Sequence, residues 1–201
     1  KAVFEWVKQN YQSPEKIFIT GCSAGSYGSI YWTPYFRRAY PNTKIYQMGD
    51  SGAGVITNDF LVHNFPNWQA SREGPTWIPE LNSSNTDWNR LQVSDLYKAI
   101  GSYYPETKLA QFNTINDSIQ TFFYEIMMGD PTLWSPMAKQ SVRELSSKLD
   151  NFNYFIAPGE EHCVLPYDYI YTLKSNDILF TDWLNNFLND EPTEDITCKN
   201  C

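Results

Sequence analysis

The sequence predicts an α/β fold: a mostly parallel sheet with helices on both faces. Three observations carry that prediction. A β-branched and aromatic run, Ile17-Phe18-Ile19-Thr20, ends in Gly21-Cys22-Ser23-Ala24-Gly25 and gives way to a helical pattern, so the chain spells strand, sharp turn, helix. Helix and strand patterns alternate on either side of an irregular middle, the rhythm of right-handed βαβ crossovers. The side chains able to do chemistry follow predicted strands, at the edge where parallel sheets gather their functional groups.

Taken in order, Ala2, Val3, Trp6 and Val7 share one face of a first helix, which ends in the segment around Pro14. Residues 16–20 form the first strand. A helix then runs from about Ala24 toward Ala39, with Pro34 expected to kink it or end it early, and Pro41-Asn42 turns the chain. Residues 44–48 form a second strand that delivers Gly49-Asp50-Ser51-Gly52. From about 56 to 105 the rhythm breaks into an insertion with Trp68, Trp77 and Trp88, several prolines, many Asn and Ser, and one helical stretch near 93–100. Such an insertion suits a lid or pocket wall, the three tryptophans lining the pocket, and equally a structural cap over the sheet. Strand, helix and helix return at 108–115, 120–128 and 136–149. Residues 153–157 are the last predicted strand, followed by Pro158-Gly159-Glu160-Glu161-His162-Cys163 and a final helix at about 177–188.

With 201 residues the chain supports one domain, 1–201, with the insertion inside it. Abundant aromatics (7 Trp, 14 Tyr, 12 Phe), 19% charged residues and the absence of a long apolar run indicate a globular chain without a membrane span. A net charge of −8 with no Lys/Arg cluster excludes nucleic acid as a partner. Cys22, Cys163, Cys198 and Cys201 allow three disulfide connectivities. The C-x-x-C at the end reads as a tail disulfide, because no second pair of ligands accompanies it to hold zinc. A Cys22–Cys163 bridge is the lesser candidate, with Cys22 as a buried free thiol its alternative. Asn82 opens a glycosylation sequon, as does Asn116. Cysteines and aromatics together point to a secreted protein.

G-x-S-x-G alone is a weak signal, equally met in a Gly-Ser loop before a helix. Its weight comes from order. Ser23 follows one strand, Asp117 a later one and His162 the last, the Ser, Asp, His order of the α/β-hydrolase fold. His162 would take the serine proton, Asp117 would hold the imidazole tautomer, and the Ala24 N–H would face the oxyanion. The alternatives are structural: Asp117 as a helix N-cap, His162 and His63 as loop histidines. Asp50, Asp130 and Asp168 are rival acids, of which Asp50, one strand after the elbow, is the most serious. If Asp117 is buried against His162, a glycan on Asn116 would crowd the site, so that sequon is expected to stay unmodified.

At these residues the sequence resembles the pectin acetylesterase/Notum family of carboxylester hydrolases. Thr20-Gly21-Cys22-Ser23-Ala24-Gly25, Asp50-Ser51-Gly52, Asn116-Asp117-Ser118-Ile119-Gln120 and His162-Cys163 carry the likeness. The resemblance implies Ser23 as nucleophile, Asp117 as acid and His162 as base. It departs at Ser26, where the family has a second glycine. It also implies a Gly-rich oxyanion loop and first strands that nothing before Lys1 supplies, so this chain reads as the C-terminal portion of an α/β-hydrolase-type domain. A further segment or second chain would then provide those strands. The implied function is a serine carboxylesterase that deacylates an extracellular glycan or lipidated protein and needs no cofactor or metal. The competing readings are an inactive family member serving as a binding module and, less supported, a serine peptidase.

Overall fold

The computed structural model describes residues 1–199 and 201. Five parallel strands form the sheet in the order β1 (Lys16–Cys22), β2 (Lys44–Asp50), β3 (Lys108–Thr114), β4 (Phe152–Ala157) and β7 (Ile196–Thr197). A two-stranded antiparallel ribbon, β5 (Lys174–Ser175) with β6 (Ile178–Leu179), lies outside it. The helices are α1 (Ala2–Asn10), α2 (Ala24–Ala39), α3 (Asn58–His63), α4 (Val93–Tyr103), α5 (Ser118–Ile126), α6 (Pro131–Lys148) and α7 (Phe180–Leu188). This is the expected parallel α/β architecture.

Alternation along the strands sorts the core into two layers. Leu109 and Phe152 meet Ile30 of α2, Leu96 and Ile100 of α4 and Val142 and Leu145 of α6 on one face. Tyr46, Met48, Phe112 and Phe155 meet Phe180, Trp183 and Phe187 of α7 on the other. Both faces are therefore covered, and each fully buried aromatic there stabilises the fold by roughly 1.5–3 kcal/mol.

Several expectations shift by a turn or more. The face read on α1 does not become a buried face: Val3 and Trp6 are exposed, and Phe4 and Val7 are the residues that pack, against Phe36, Tyr40 and Ile45. Pro34 sits inside a continuous α2, buried on the side toward the core, without ending the helix. The final helix begins at Phe180, because Asn176 and Asp177 take positive φ (50° and 65°) and form the tight turn of the β5–β6 ribbon. β4 is not the last strand, since Ile196–Thr197 adds a short one beside it. Between 56 and 105 the chain makes α3, four short 3-10 turns and α4. α4 is the crossover helix between β2 and β3, and Ile78, Leu81 and Trp88 join the same buried cluster.

Candidate active site

The elbow is built by close backbone approach. A Cβ on Gly21 would collide with the backbone of Gly25, so only glycine fits where β1 turns into α2. A Cβ on Gly25 would meet nothing within 4 Å, so its place in the motif is to be the backbone that Gly21 touches. Ser26 is buried, and the room it needs comes from Gly49 and Gly52, whose missing Cβ atoms would overlap its side chain. That compensates for the departure at this position.

Ser23 sits at the turn with φ 60° and ψ −120°, an unfavourable backbone for a non-glycine residue, and its hydroxyl makes no capping bond to α2. Its amide donates to the Asp50 carbonyl at 2.8 Å. Ala24 opens α2, so its N–H is one of the first-turn amides without an intrahelical acceptor.

Asp117 lies at the end of the loop after β3 and is fully buried. It does two jobs at once. Its Oδ1 accepts the Ile119 and Gln120 amides at 3.1 and 2.9 Å, capping α5, and the same carboxylate faces the imidazole. His162 Nδ1–H donates to it, at 3.0 Å to Oδ1 and 2.9 Å to Oδ2. The cap reading and the relay reading are therefore not exclusive: a helix N-terminus favours the ionised carboxylate that the imidazole needs. Gln120 Nε2 donates to Asp117 Oδ2 at 2.8 Å and to Asn113 Oδ1 at 2.9 Å, while its Oε1 accepts the Ala53 amide at 2.8 Å.

The other imidazole nitrogen, His162 Nε2, is buried and has no hydrogen-bond partner. His162, Ser23, Ala24, Ser51 and Gln120 share one cavity of about 280 Å³. Its remaining wall is apolar, from Val55 and Ile56 after β2 and from Phe123, Ile126 and Trp134 of α5 and α6. Of the three tryptophans expected to line the pocket, Trp68 does, exposed at its rim. The other two do not reach it. Trp77 donates from its indole to the Tyr104 hydroxyl at 2.9 Å and lies under the Arg38 guanidinium. Trp88 is buried, with its indole N–H on the Leu81 carbonyl at 3.1 Å, and lines a neighbouring cavity of about 440 Å³. The walls from α5 and α6 went unread in the sequence, although an amphipathic α5 with Phe122, Phe123 and Ile126 turned outward was a signal for them.

The rival acids have other partners. Asp130 caps α6 through Thr132, and Asp168, itself exposed, starts a 3-10 turn. Asp50 is fully buried and accepts the amides of Val164 and Leu165 rather than the imidazole, and burial pushes its carboxyl above the ordinary range. Both disulfides form, Cys22–Cys163 as well as Cys198–Cys201, so Cys22 is not a free thiol. The Cys22 and Cys163 sulfurs and a His162 ring nitrogen lie within 4.8 Å of one another, but the sulfurs are bonded together, which leaves one imidazole and no thiolate for a metal. Asn82 is half-buried, its amide donating to the Thr76 carbonyl at 3.0 Å, whereas Asn116 is exposed. No helix among the described residues is long and apolar enough to cross a membrane.

Residues 1–69 match the sequence model of the pectinacetylesterase family. No curated protein matches the chain significantly. Among solved structures, that of the Wnt deacylase Notum from Drosophila aligns with a TM-score of 0.64 and 20% identity, over 99% of this chain and 62% of that one. At that identity the likeness establishes the fold, an α/β-hydrolase-type sheet. The chain spans 62% of the length of that structure. The family resemblance is thus borne out in sequence over residues 1–69, and the expected fold over nearly all of the chain.

Proposed function

We propose that the protein is a serine carboxylesterase working through an acyl-enzyme. The observation that carries this reading is the His162 imidazole, held at Nδ1 by both oxygens of a buried carboxylate while its partnerless Nε2 shares a cavity with Ser23. In the first half-reaction the Ser23 hydroxyl adds to an ester carbonyl and gives its proton to His162 Nε2. Asp117 stabilises the imidazolium, and the Ala24 N–H faces the oxyanion. Collapse breaks the ester C–O bond, and the alcohol leaves with the proton from His162. Water then repeats the sequence on the acyl-serine and releases the carboxylic acid. Catalytic hydrogen bonds commonly tighten only with substrate bound, which accommodates a serine not yet bonded to Nε2.

The apolar wall from Val55, Ile56, Phe123 and Trp134 suits the acyl half of the ester, leaving the alcohol half, on a secreted glycan or an acylated protein, toward the rim. The two disulfides suit an extracellular setting. β1 is the sheet's first strand, with its outer side unpaired among the described residues, and a cavity of about 500 Å³ runs between it, α1 and α2. A further segment or second chain pairing along that side would bring additional oxyanion donors.

A second reading, a binding module with an idle relay, is favoured by one observation: among the described residues, Ala24 at the start of α2 is the one oxyanion donor beside Ser23. Losing one such donor costs about a hundred- to a thousandfold in turnover. Hydrolysis of p-nitrophenyl acetate and butyrate, with labelling by a fluorophosphonate, separates the two. The esterase reading expects turnover and a label on Ser23, both abolished in Ser23→Ala. Turnover that survives in Ser23→Ala, or no turnover and no label, leaves the module.

A further inference from the structure

Asp50 joins the two sides of the candidate relay. Its backbone carbonyl accepts the Ser23 amide at 2.8 Å. Its carboxylate accepts the Val164 amide at 3.0 Å and the Leu165 amide at 2.9 Å, just beyond His162. The neighbouring Ser51, at φ 51°, accepts the Cys163 amide on its hydroxyl at 2.8 Å, and Cys163, at φ 63°, is bonded to Cys22. On the upstream side Thr114 donates its hydroxyl to the Glu161 carbonyl at 2.7 Å. The imidazole therefore projects from a segment tied on both sides to the ends of β2 and β3. No regular element carries it.

We propose that Asp50, with Ser51, is a positioning residue for the reaction: one residue whose main chain holds the nucleophile and whose side chain holds the segment bearing the base. The inference rests on the esterase reading for its kinetic consequence, though not for its structural one. A carboxylate with no exposure is costly to bury. Three amide contacts offset that cost only in part, and its carboxyl stays above the ordinary range, burial outweighing those bonds and the pull of His162. A tie serving the fold alone needs no charge. A charge here also favours the imidazolium that forms when Ser23 is deprotonated. The titratable groups around Asp50 are His162, Tyr169 from the turn at 168–171, and beyond them Asp117 and Glu161. The Tyr169 hydroxyl is buried without a partner and pushed up to about 12, by burial first and Asp50 next, so it stays neutral, and the positive charge that Asp50 faces is the one His162 gains on taking the Ser23 proton.

The test is Asp50→Asn, read by the imidazole titrations of His162 and His63 and by ester kinetics. The chain has two histidines, and exposed His63 serves as the internal reference. The expected result is a lower pKa for His162 with His63 unmoved, and kcat down by about ten- to a hundredfold with KM nearly unchanged, as for a displaced catalytic group. A folded Asp50→Asn with its disulfide intact, the wild-type His162 titration and the wild-type kcat overturns the proposal. Should the esterase reading itself fail, Ser23→Ala reports that separately and the His162 titration still reads the role of Asp50. If Asp50→Asn does not fold, Ser51→Ala keeps the charge and removes one tie: a several-fold fall in kcat at constant KM supports the clamp, and an unchanged kcat overturns it.

Discussion

At the scale of single residues, Asp117 and Gly21 leave least freedom. Asp117 receives two amides from α5, one side-chain amide from Gln120 and the imidazole N–H, all on one buried carboxylate. Asp117→Asn retains much of the cap but presents an N–H to Nδ1, so the imidazole takes the wrong tautomer. Under the esterase reading kcat is expected to fall on the order of ten-thousandfold with the far-UV spectrum unchanged, as the corresponding change does in the well-studied triad. Gly21→Ala acts by geometry alone, forcing the elbow apart at the Gly25 backbone. Loss of fluorophosphonate labelling at Ser23 is expected while the distant ribbon and α7 stay folded, as hydrogen exchange would report.

At the scale of elements, α7 is the clearest case of a local pattern completed by a distant partner. Of the apolar residues whose spacing marks it, Ile178, Leu179, Trp183, Leu184 and Phe187, the structure buries Trp183 and Phe187 and adds Phe180. Its docking is completed after the helix ends, where Asp190 gathers Lys44 at 2.6 Å, Lys108 at 3.4 Å and the Tyr46 hydroxyl at 2.9 Å from the starts of β2 and β3. These bonds, that of Lys44 foremost, lower the Asp190 carboxyl from 3.8 to about 2. The fold therefore binds fewer protons than the unfolded chain between those values, so this contribution to stability is present above the unfolded pKa and lost as pH falls through it toward about 2. Asp190→Asn is expected to flatten the stability–pH curve in that acid window, measured by urea unfolding at stepped pH. The carboxylate is partly exposed, so salt should weaken the effect.

Across the whole molecule, the Cys22–Cys163 bridge spans 141 residues and ties the first strand to the segment after the fourth. Closing so long a loop restricts the unfolded chain strongly. The Cys22→Ser, Cys163→Ser pair is expected to lose about 2–5 kcal/mol in urea unfolding, and the Cys198→Ser, Cys201→Ser pair, with a separation of 3, much less. Alkylation without reduction should label no cysteine.

The sequence by itself determined the elements and the order of the chemical groups: the strand, turn and helix around Ser23, the parallel rhythm, and Ser23, Asp117 and His162 each placed after a strand. These follow from local chemistry, because periodicity, glycine placement and loop position are properties of a few consecutive residues. Tertiary structure alone decided that Cys22 pairs with Cys163, that Asp50 serves the segment after His162 rather than its imidazole, and that α5 and α6 instead of Trp77 and Trp88 wall the cavity. Those outcomes depend on groups more than a hundred residues apart meeting at one edge of the sheet, and on hydrogen bonds such as that from the Trp88 indole to Leu81 turning a side chain inward. No local pattern encodes either.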